Sequence, residues 1–245
     1  MKTILVTGAA RGIGKAIVKR LYSRGCNVIF TYNRSEQQAK ELASSLHAEG
    51  NGAQVTALRC NLANQEEVKA MVAVNKDLFS HIDMLVNNAG IISNPSQLFL
   101  LANLNLWWEV FQNNIRCVVN TTRSVLPFMI RKKQGRIVNI TSLSGICGDP
   151  GQSAYAASKA AIANLSKTLG KELAPFNVSI NCIAPGLINT DMVNQVTRKY
   201  ENDMLTHTLV KRMGQPEEVA ALAEFLLLDA PDYLVNQQIV LSGGL

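Results

Sequence analysis

Short apolar runs alternate along the chain with longer stretches in which apolar residues recur every three or four positions. The runs have the length and composition of β-strands, and the stretches between them have the periodicity of amphipathic helices. The predicted strands are Ile4–Val6, Val28–Tyr32, Gln54–Leu58, Met84–Val86, Arg136–Ile140, Val178–Ile183 and Gln238–Leu241. The predicted helices are Gly14–Arg24, Ser35–Glu49, Gln65–Phe79, Leu106–Arg131, Ser153–Leu173 and Pro216–Leu228.

Several of the predicted strands are apolar almost throughout, which is typical of parallel strands covered by helices on both faces. Alternating strands and helices of this kind predict a doubly wound α/β sheet. With 245 residues, 47% of them hydrophobic, the chain is expected to form a single domain, residues 1–245. The polar, irregular stretch from Leu187 to Gly214 is longer than an ordinary connection and is predicted to be a lid.

The formal charge of +6 fits an anionic cofactor or an acidic partner as well as a nucleic acid. Nucleic-acid binding is not predicted, because no basic stripe is interleaved with aromatic residues. No apolar run reaches the length of a membrane span, and no signal peptide is recognised. The scattered cysteines and the three distant histidines lack metal-ligand spacing, so no metal is expected and the cytoplasm is the expected compartment.

The first predicted strand ends in the glycine-rich sequence Thr7-Gly8-Ala9-Ala10-Arg11-Gly12-Ile13-Gly14 and is followed by a predicted helix. Glycines at such a turn let the backbone approach a pyrophosphate, which the free N–H groups at the helix start stabilise. The position of the motif, between a strand and a helix in the first unit of the fold, predicts a dinucleotide site.

Tyr155 and Lys159 are four residues apart in a predicted helix and therefore lie on the same face. A phenol can donate a proton to a carbonyl oxygen, but its ordinary pKa near 10 makes it a poor acid or base at neutral pH. We expect the Lys159 cation to lower that pKa. Taken alone, such a pair is more often a feature of a helix surface than a catalytic one.

The glycine spacing G-x-x-x-G-x-G, the Tyr155/Lys159 pair, the segment Asn87-Asn88-Ala89-Gly90 and Pro185-Gly186 followed by Thr190 together resemble the short-chain dehydrogenase/reductase family. The resemblance extends along nearly the whole chain. It implies a Rossmann-type, seven-stranded parallel sheet and transfer of hydride between a nicotinamide and a carbonyl or secondary alcohol.

The resemblance also implies site residues. The implied catalytic residues are Asn114 (rather than Asn113), Ser142, Tyr155 and Lys159, with Tyr155 as proton donor and Ser142 bound to the substrate oxygen. The implied cofactor contacts are Gly8, Arg11, Gly12, Ile13, Gly14, Arg34, Asn61, Leu62, Asn88, Ala89, Gly90, Tyr155, Lys159, Pro185, Gly186, Ile188 and Thr190.

The end of the second predicted strand favours NADP(H) over NAD(H). NAD enzymes place a carboxylate there for the ribose hydroxyls, whereas this chain has Tyr32-Asn33-Arg34. Arg34 and Arg11 could bind a 2′-phosphate, since a guanidinium matches phosphate geometry. Asn61 departs from the aspartate usual beside the adenine, but its amide oxygen can still accept a hydrogen bond.

The chain looks most like the 3-oxoacyl-[acyl-carrier-protein] reductase branch of the family. That resemblance implies a carrier-bound acyl substrate, an acidic acyl carrier protein as partner, and a homotetramer or dimer. Lys133 matches a basic carrier contact of the branch, but Phe176 replaces the second one. The apolar cluster of Phe99, Leu104, Trp107, Trp108 and Phe111 is expected to lie in the core or between subunits.

Three alternatives remain open at this stage. One is a dehydrogenase of a small alcohol or sugar, which would use the same catalytic residues. Another is a nucleotide-sensing protein, although such proteins typically lack the Tyr-Lys pair. The third is a partner subunit of a related reductase, which the departures at Asn61, Phe176 and Gln237 suggest. The basic cluster Arg131, Lys132, Lys133 and Arg136 could equally be the solvated end of a helix.

Overall fold

A computed structural model describes residues 1–191 and 205–245. Its seven strands form one parallel sheet in the order β3-β2-β1-β4-β5-β6-β7. This confirms the predicted fold class, and each predicted strand is present with ends shifted by a few residues at most. The strands are β1 (Thr3–Val6), β2 (Asn27–Tyr32), β3 (Val55–Arg59), β4 (Met84–Asn87), β5 (Gly135–Ile140), β6 (Val178–Pro185) and β7 (Gln238–Leu241).

The helices cover both faces of the sheet. The named helices of the described residues are α1 (Gly12–Ser23), α2 (Glu36–Glu49), α3 (Gln65–Val74), α4 (Lys76–Ser80), α5 (Leu104–Lys132), α6 (Ser144–Cys147), α7 (Ser153–Leu173) and α8 (Pro216–Glu224). Single 3₁₀ turns lie at Phe99–Leu101 and Ala174–Phe176, and a π-helical turn at Phe225–Asp229 follows α8. No described helix combines the length and apolar character needed to cross a membrane.

Each central strand contributes to two cores, because successive side chains point to opposite faces of the sheet. In β1, Ile4 and Val6 pack in the core beneath α1, α2 and α8, whereas Leu5 packs beneath α3, α4, α5 and α7. All three side chains are fully buried. The uninterrupted apolar character of the strand is therefore explained by burial on both faces.

The predicted helix Gln65–Phe79 is wrong in one respect, since it is broken at Asn75 into α3 and α4. The Asn75 side chain donates a hydrogen bond of 2.8 Å to the Met71 carbonyl. Such local side-chain bonds compete with the helical backbone pattern. Val74, the last residue of α3, is largely exposed.

The strand order places the functional loops. The chain moves outward from β1 through β2 to β3 and then returns to place β4 beside β1. Ligands of open α/β sheets bind at such a reversal, beyond the carboxyl ends of the strands. The loops after β1, β2, β3, β4 and β6 meet at this edge around a cleft of about 370 Å³.

The predicted lid lies partly outside the described residues, which exclude 192–204. Its two ends are joined, because Gly214 N donates to Leu187 O and Asn189 N donates to Gly214 O, each at 2.9 Å. Ile188 is buried at this junction.

Candidate active site

The glycine loop after β1 is shaped for close approach of its backbone to other groups. Gly8 and Gly12 have φ angles of +62° and +55°, which residues with a Cβ rarely adopt. A Cβ on Gly8 would lie 2.8 Å from the Cα of Ala89, so the loop also packs tightly against the segment after β4. The backbone N–H groups at the start of α1 remain available to an anion beyond this loop.

Most of the predicted cofactor contacts line the cleft. Arg34 lies in its lining at the end of β2, and Arg11 lies on the glycine loop with its guanidinium 4.0 Å from the Asp191 carboxylate. The other predicted contacts in the lining are Gly8, Gly12, Ile13, Asn61, Leu62, Asn88, Ala89, Gly90 and Thr190.

Gly14 was predicted as a cofactor contact, but it lies behind the cleft rather than in its lining. A Cβ at Gly14 would lie 2.6 Å from the Asn88 amide nitrogen and 2.7 Å from the Ala9 Cα. Asn88 in turn donates to the carbonyls of Thr7 and Gly8, each at 3.0 Å. Gly14 thus supports the loop by allowing close packing.

The segment after β6 reaches the glycine loop from the other side. The Thr190 methyl group is 3.5 Å from the Cβ position of Gly12. The lining of the cleft does not include the predicted contacts Pro185, Gly186 and Ile188. A Cβ on Gly186 would lie 2.9 Å from the Ser242 Cα, so this glycine is required for packing against the end of β7.

Asn61 lines the cleft at the end of β3, where its side chain is already partly engaged. Its Oδ1 accepts a hydrogen bond of 3.2 Å from Ala63 N, and its own N–H donates 3.0 Å to the Glu67 carboxylate. An amide oxygen has a second lone pair, so one acceptor position is left for an adenine amino group.

Tyr155 and Lys159 lie together on α7, with the Lys159 Nζ 5.6 Å from the centroid of the Tyr155 ring. The ammonium donates 2.8 Å to the Ile140 carbonyl at the end of β5. Burial lowers the pKa of Lys159 from 10.5 to about 8. An ammonium has three N–H donors, so beside its bond to Ile140 O it has donors left for a ligand at this edge.

The pKa of Tyr155 is raised in this arrangement, so the expected net lowering of that pKa beside the Lys159 cation is wrong. Burial raises the pKa of Tyr155, a hydrogen bond with Ser142 lowers it, and the Asp149 carboxylate raises it further. Burial has the largest effect because a phenolate loses solvation there. A raised pKa favours the protonated phenol, which is the form that can donate a proton.

Asn114 is fully buried in α5 and ties three segments together. Its Oδ1 accepts 2.8 Å from Ile91 N, and its Nδ2 donates to Ile91 O at 3.0 Å and to the Ser158 hydroxyl at 2.9 Å. Adjacent Asn113 lines the cofactor cleft instead. Ser158 was not among the predicted site residues, although its polar character between Tyr155 and Lys159 was the available signal.

A second group that the sequence did not indicate is a polar network beneath the site. The Asn87 Nδ2 donates 2.8 Å to the Asn139 Oδ1 and 2.9 Å to the Thr122 hydroxyl. The Asn139 Nδ2 donates 2.7 Å to the Ser166 hydroxyl. These buried bonds join β4 and β5 to α5 and α7, and so fix the strands from which the site loops emerge.

The basic cluster at the end of α5 lies away from this site. Lys132 pairs with Asp83, and Arg136 pairs with Asp232. Lys133 ends α5 at the amino-terminal edge of the sheet, about 20 Å from the Ser142 edge by the length of β5. A carrier bound at Lys133 would therefore lie at the opposite edge of its own chain from Tyr155.

The aromatic cluster forms contacts but is not core. Trp107 stacks on Phe111 with 5.5 Å between ring centroids and meets Phe99 and Trp108 edge-on. Phe99 and Trp108 are nevertheless 63% and 51% exposed. The core alternative is therefore wrong for these two rings and for Leu104, which is also exposed.

The fold and site define the chain as a doubly wound nucleotide-binding protein with an oxidoreductase-type Tyr-Lys pair. A family model described as short chain dehydrogenase matches residues 2–201. The chain belongs to this family.

The similar proteins include a 3-oxoacyl-[acyl-carrier-protein] reductase of Synechocystis, 40% identical over 98% of this chain and 95% of the relative. A reductase of the same name from Thermotoga maritima is 38% identical over 100% and 97%. A crystal structure of a 3-oxoacyl-[acyl-carrier protein] reductase from Brucella melitensis superposes with a TM-score of 0.91 at 31% identity, covering 100% of this chain and 91% of the other. Another from that organism, with bound NAD, gives 0.90 at 29% identity, covering 100% and 90%.

Proposed function

We propose that the chain is an NADPH-dependent ketoreductase that reduces a 3-oxoacyl thioester, carried on an acyl carrier protein, to the 3-hydroxyacyl product. The observation that carries the proposal is the meeting of Tyr155, Ser142 and Lys159 at the sheet edge that also holds the glycine-lined cleft. The similarity to 3-oxoacyl-[acyl-carrier-protein] reductases of Synechocystis and Thermotoga maritima supports the substrate class. In all of them the acyl group is on a carrier protein.

The residues of the cleft fit a nicotinamide dinucleotide. The left-handed glycines Gly8 and Gly12 leave room beside backbone N–H donors, and Arg34 offers a guanidinium beyond β2. When bound, the dinucleotide supplies hydride to the carbonyl carbon. Arg34 and Arg11 would hold a 2′-phosphate, and Thr190 and the ends of β1 and β4 would hold the rest. NADP(H) is proposed over NAD(H) because this turn carries no carboxylate.

The proposed chemistry of the chain's own residues is a proton transfer at the substrate oxygen. Tyr155 donates its phenolic proton to the oxygen as charge develops there, and Ser142 holds that oxygen by hydrogen bonding. The Lys159 ammonium stabilises the negative charge that remains on the phenolate after the proton has been donated. Asn114 positions Ile91 and Ser158 beside the catalytic side chains by hydrogen bonding to both residues.

The segment 187–214 is proposed as the lid over the acyl group, since its two ends are hydrogen-bonded to each other beside the site. The single domain is proposed to assemble as a homotetramer or dimer in the cytoplasm. The exposed cluster of Phe99, Leu104 and Trp108 supports an assembled form, because large exposed apolar patches commonly mark interfaces.

The test is NADPH and NADH oxidation, side by side, with an acetoacetyl thioester offered free and on acyl carrier protein. Turnover that prefers NADPH and improves on the carrier is the expected result. Tyr155→Phe serves as the background control. Reduction of simple ketones or sugars with no thioester turnover would transfer the activity to another substrate class, and nucleotide binding with no turnover would favour a sensing or partner role.

A further inference from the structure

A second cavity, of about 200 Å³, adjoins the nucleotide cleft. It is lined by the segment that follows β4, by the first turns of α5 and by the start of α7. Ile91 lines both this second cavity and the cleft, so the two spaces are neighbours. Neither the hydride transfer nor the proton transfer proposed above gives the second cavity a role.

The second cavity is close to the catalytic side chains. Gly90, the residue before Ile91, is near Lys159, because a Cβ at Gly90 would lie 3.6 Å from the Lys159 Nζ. At the start of α7, Ser153 lines the cavity two residues before Tyr155. A substrate whose carbonyl is held by Tyr155 can therefore reach this space with a short chain.

The polar groups around the second cavity are engaged with one another. The Gln152 Nε2 donates 3.0 Å to Ser93 O, and Ser93 N donates 3.2 Å to the Gln152 Oε1. The Trp107 Nε1 donates 2.9 Å to the Ser153 hydroxyl, and the Asn103 side chain caps α5. These bonds tie the segment after β4 and the first turns of α5 to the start of α7, and they reduce the number of polar groups that a ligand must satisfy.

The remaining lining favours an uncharged aliphatic chain. Glu109 is the charged side chain of the described lining, and its carboxylate disfavours a chain that ends in an anion. An apolar cavity of roughly 150 Å³ can hold benzene, so the second cavity has room for about six to eight carbons. The larger apolar residues of the lining are Ile91, Ile92, Pro95, Leu106, Trp107 and Val110.

We propose that the second cavity binds the aliphatic tail of the acyl group while Tyr155 holds its 3-oxo group. The enzyme then favours acyl groups of roughly eight to ten carbons over the acetoacetyl group, because only the longer tails fill the cavity. The role of the tail in turnover rests on the proposed function. Binding of an uncharged aliphatic chain in the cavity does not.

Variants that fill the second cavity test this assignment. Val110→Phe places a ring in the cavity from a buried position of α5. Ala102→Phe fills it from a half-buried position before α5 and serves if the buried substitution prevents folding. Val74→Phe adds the same bulk at an exposed position of α3 and is the matched control. The Kd for NADPH checks that each variant is folded.

The first measurement is calorimetric titration of the NADP⁺-loaded protein with the unbranched 2-alkanones from 2-butanone to 2-octanone. In the wild type and in Val74→Phe, the Kd should fall about threefold with each added methylene, because each one is buried. In the filled variants this gain should stop at the shorter ketones. The same chain-length dependence in filled and wild-type protein, or no binding of 2-octanone to the wild type, would reject the cavity as a chain site.

The second measurement is kcat/KM for acetoacetyl and 3-oxodecanoyl thioesters on the same carrier protein. Val110→Phe should lower kcat/KM at least about tenfold for the longer substrate and less than about twofold for the shorter one. Equal changes for both would overturn the proposal while leaving the reductase activity in place. Chain-length-dependent binding of alkanones without reduction of any thioester would instead refute the proposed function and keep the cavity. Inhibition by 2-octanone that is not competitive with 3-oxodecanoyl thioester would assign the cavity to a separate effector and reject the tail.

Discussion

Asn114 and Ile91 exchange two hydrogen bonds, from Ile91 N to the Asn114 Oδ1 and from the Asn114 Nδ2 to Ile91 O. This reciprocal pair closes the loop after β4 onto α5, and the third bond of Asn114, to Ser158, joins both to α7. A single buried amide therefore sets the relative position of the loop that lines the cleft and the helix that carries Tyr155 and Lys159.

Replacing Asn114 with Ala should lower both stability and turnover. Two backbone groups of Ile91 and one hydroxyl lose their partner, which costs about 2 to 3 kcal/mol in the free energy of unfolding. We expect kcat to fall by more than tenfold because the loop is no longer fixed. Denaturant unfolding and steady-state kinetics measure these effects. Asn113→Ala, one residue away, should leave stability nearly unchanged; equal losses in the two variants would contradict this account.

Replacing Tyr155 with Phe should remove the proton donor and keep the ring. Turnover is expected to fall by at least about a hundredfold, while the Kd for NADPH changes by less than about threefold. Stopped-flow hydride transfer and fluorescence titration measure the two quantities. Tyr233→Phe, which alters a ring that is 99% exposed, is the control. Substantial activity in the Tyr155 variant would remove Tyr155 from the proposed chemistry.

Replacing Arg34 with Ala should weaken NADPH selectively. The side chain lines the cleft beyond β2, where the 2′-phosphate of NADPH would be held. The KM for NADPH should rise about tenfold and the KM for NADH should change by less than about twofold. Lys69→Ala removes an equal charge on exposed α3 and should change neither. A parallel loss for both nucleotides would assign Arg34 a general role instead.

Replacing Lys159 with Met should stabilise the protein at neutral pH while abolishing turnover. Because burial lowers the pKa of Lys159 from 10.5 to about 8, the folded state binds this proton less tightly than the unfolded state. Below pH 8 the charged amine therefore lowers the free energy of unfolding by about 3 kcal/mol. Its hydrogen bond to Ile140 O offsets about 1 kcal/mol of that loss.

That cost decreases as the pH rises from about 8 toward 10.5, because the folded state loses the proton first. The stability advantage of Lys159→Met over the wild type should accordingly be largest at pH 7 and shrink at pH 10. Thermal melts at both values measure it. An advantage that grew with pH would mean that the amine is not held at a lowered pKa.

Replacing Glu224 with Gln should destabilise the fold without affecting chemistry. The Glu224 carboxylate is buried and pairs with Arg20 and Arg24, which joins α8 to α1. We expect a loss of about 1 to 3 kcal/mol in the free energy of unfolding and little change in kcat. Glu66→Gln breaks an exposed pair with Lys69 and should cost less than about 0.5 kcal/mol. Similar losses in both would show that burial of Glu224 is unimportant.

The sequence was most informative where one physical requirement dominates a position. Burial on both faces makes Ile4–Val6 of β1 and Met84–Val86 of β4 apolar, and left-handed backbone at Gly8 and Gly12 favours glycine. These requirements appear directly in the residue types, so the strands and the glycine loop could be predicted. The role of Gly14 could not be predicted from the sequence. Close packing against Asn88 and direct contact with a ligand both require a residue without a side chain, so glycine is compatible with either role.

Competition between interactions was harder to predict. The break at Asn75 depends on one side-chain bond that outweighs an otherwise helical periodicity. The pKa of Tyr155 depends on whether burial or the Lys159 charge prevails, and spacing along a helix carries no information about burial. The second cavity depends on how the segment after β4 packs against the first turns of α5, which residue types alone do not specify.

The aromatic cluster also has an optical consequence. The chain contains two tryptophans, and both are in the first turns of α5, so intrinsic indole emission originates from one place. Trp107 donates 2.9 Å to the Ser153 hydroxyl at the start of α7, and neighbouring Glu109 lines the nucleotide cleft. Indole emission overlaps the absorption of a reduced nicotinamide. Quenching of this emission should therefore report loading of the cleft without any added dye.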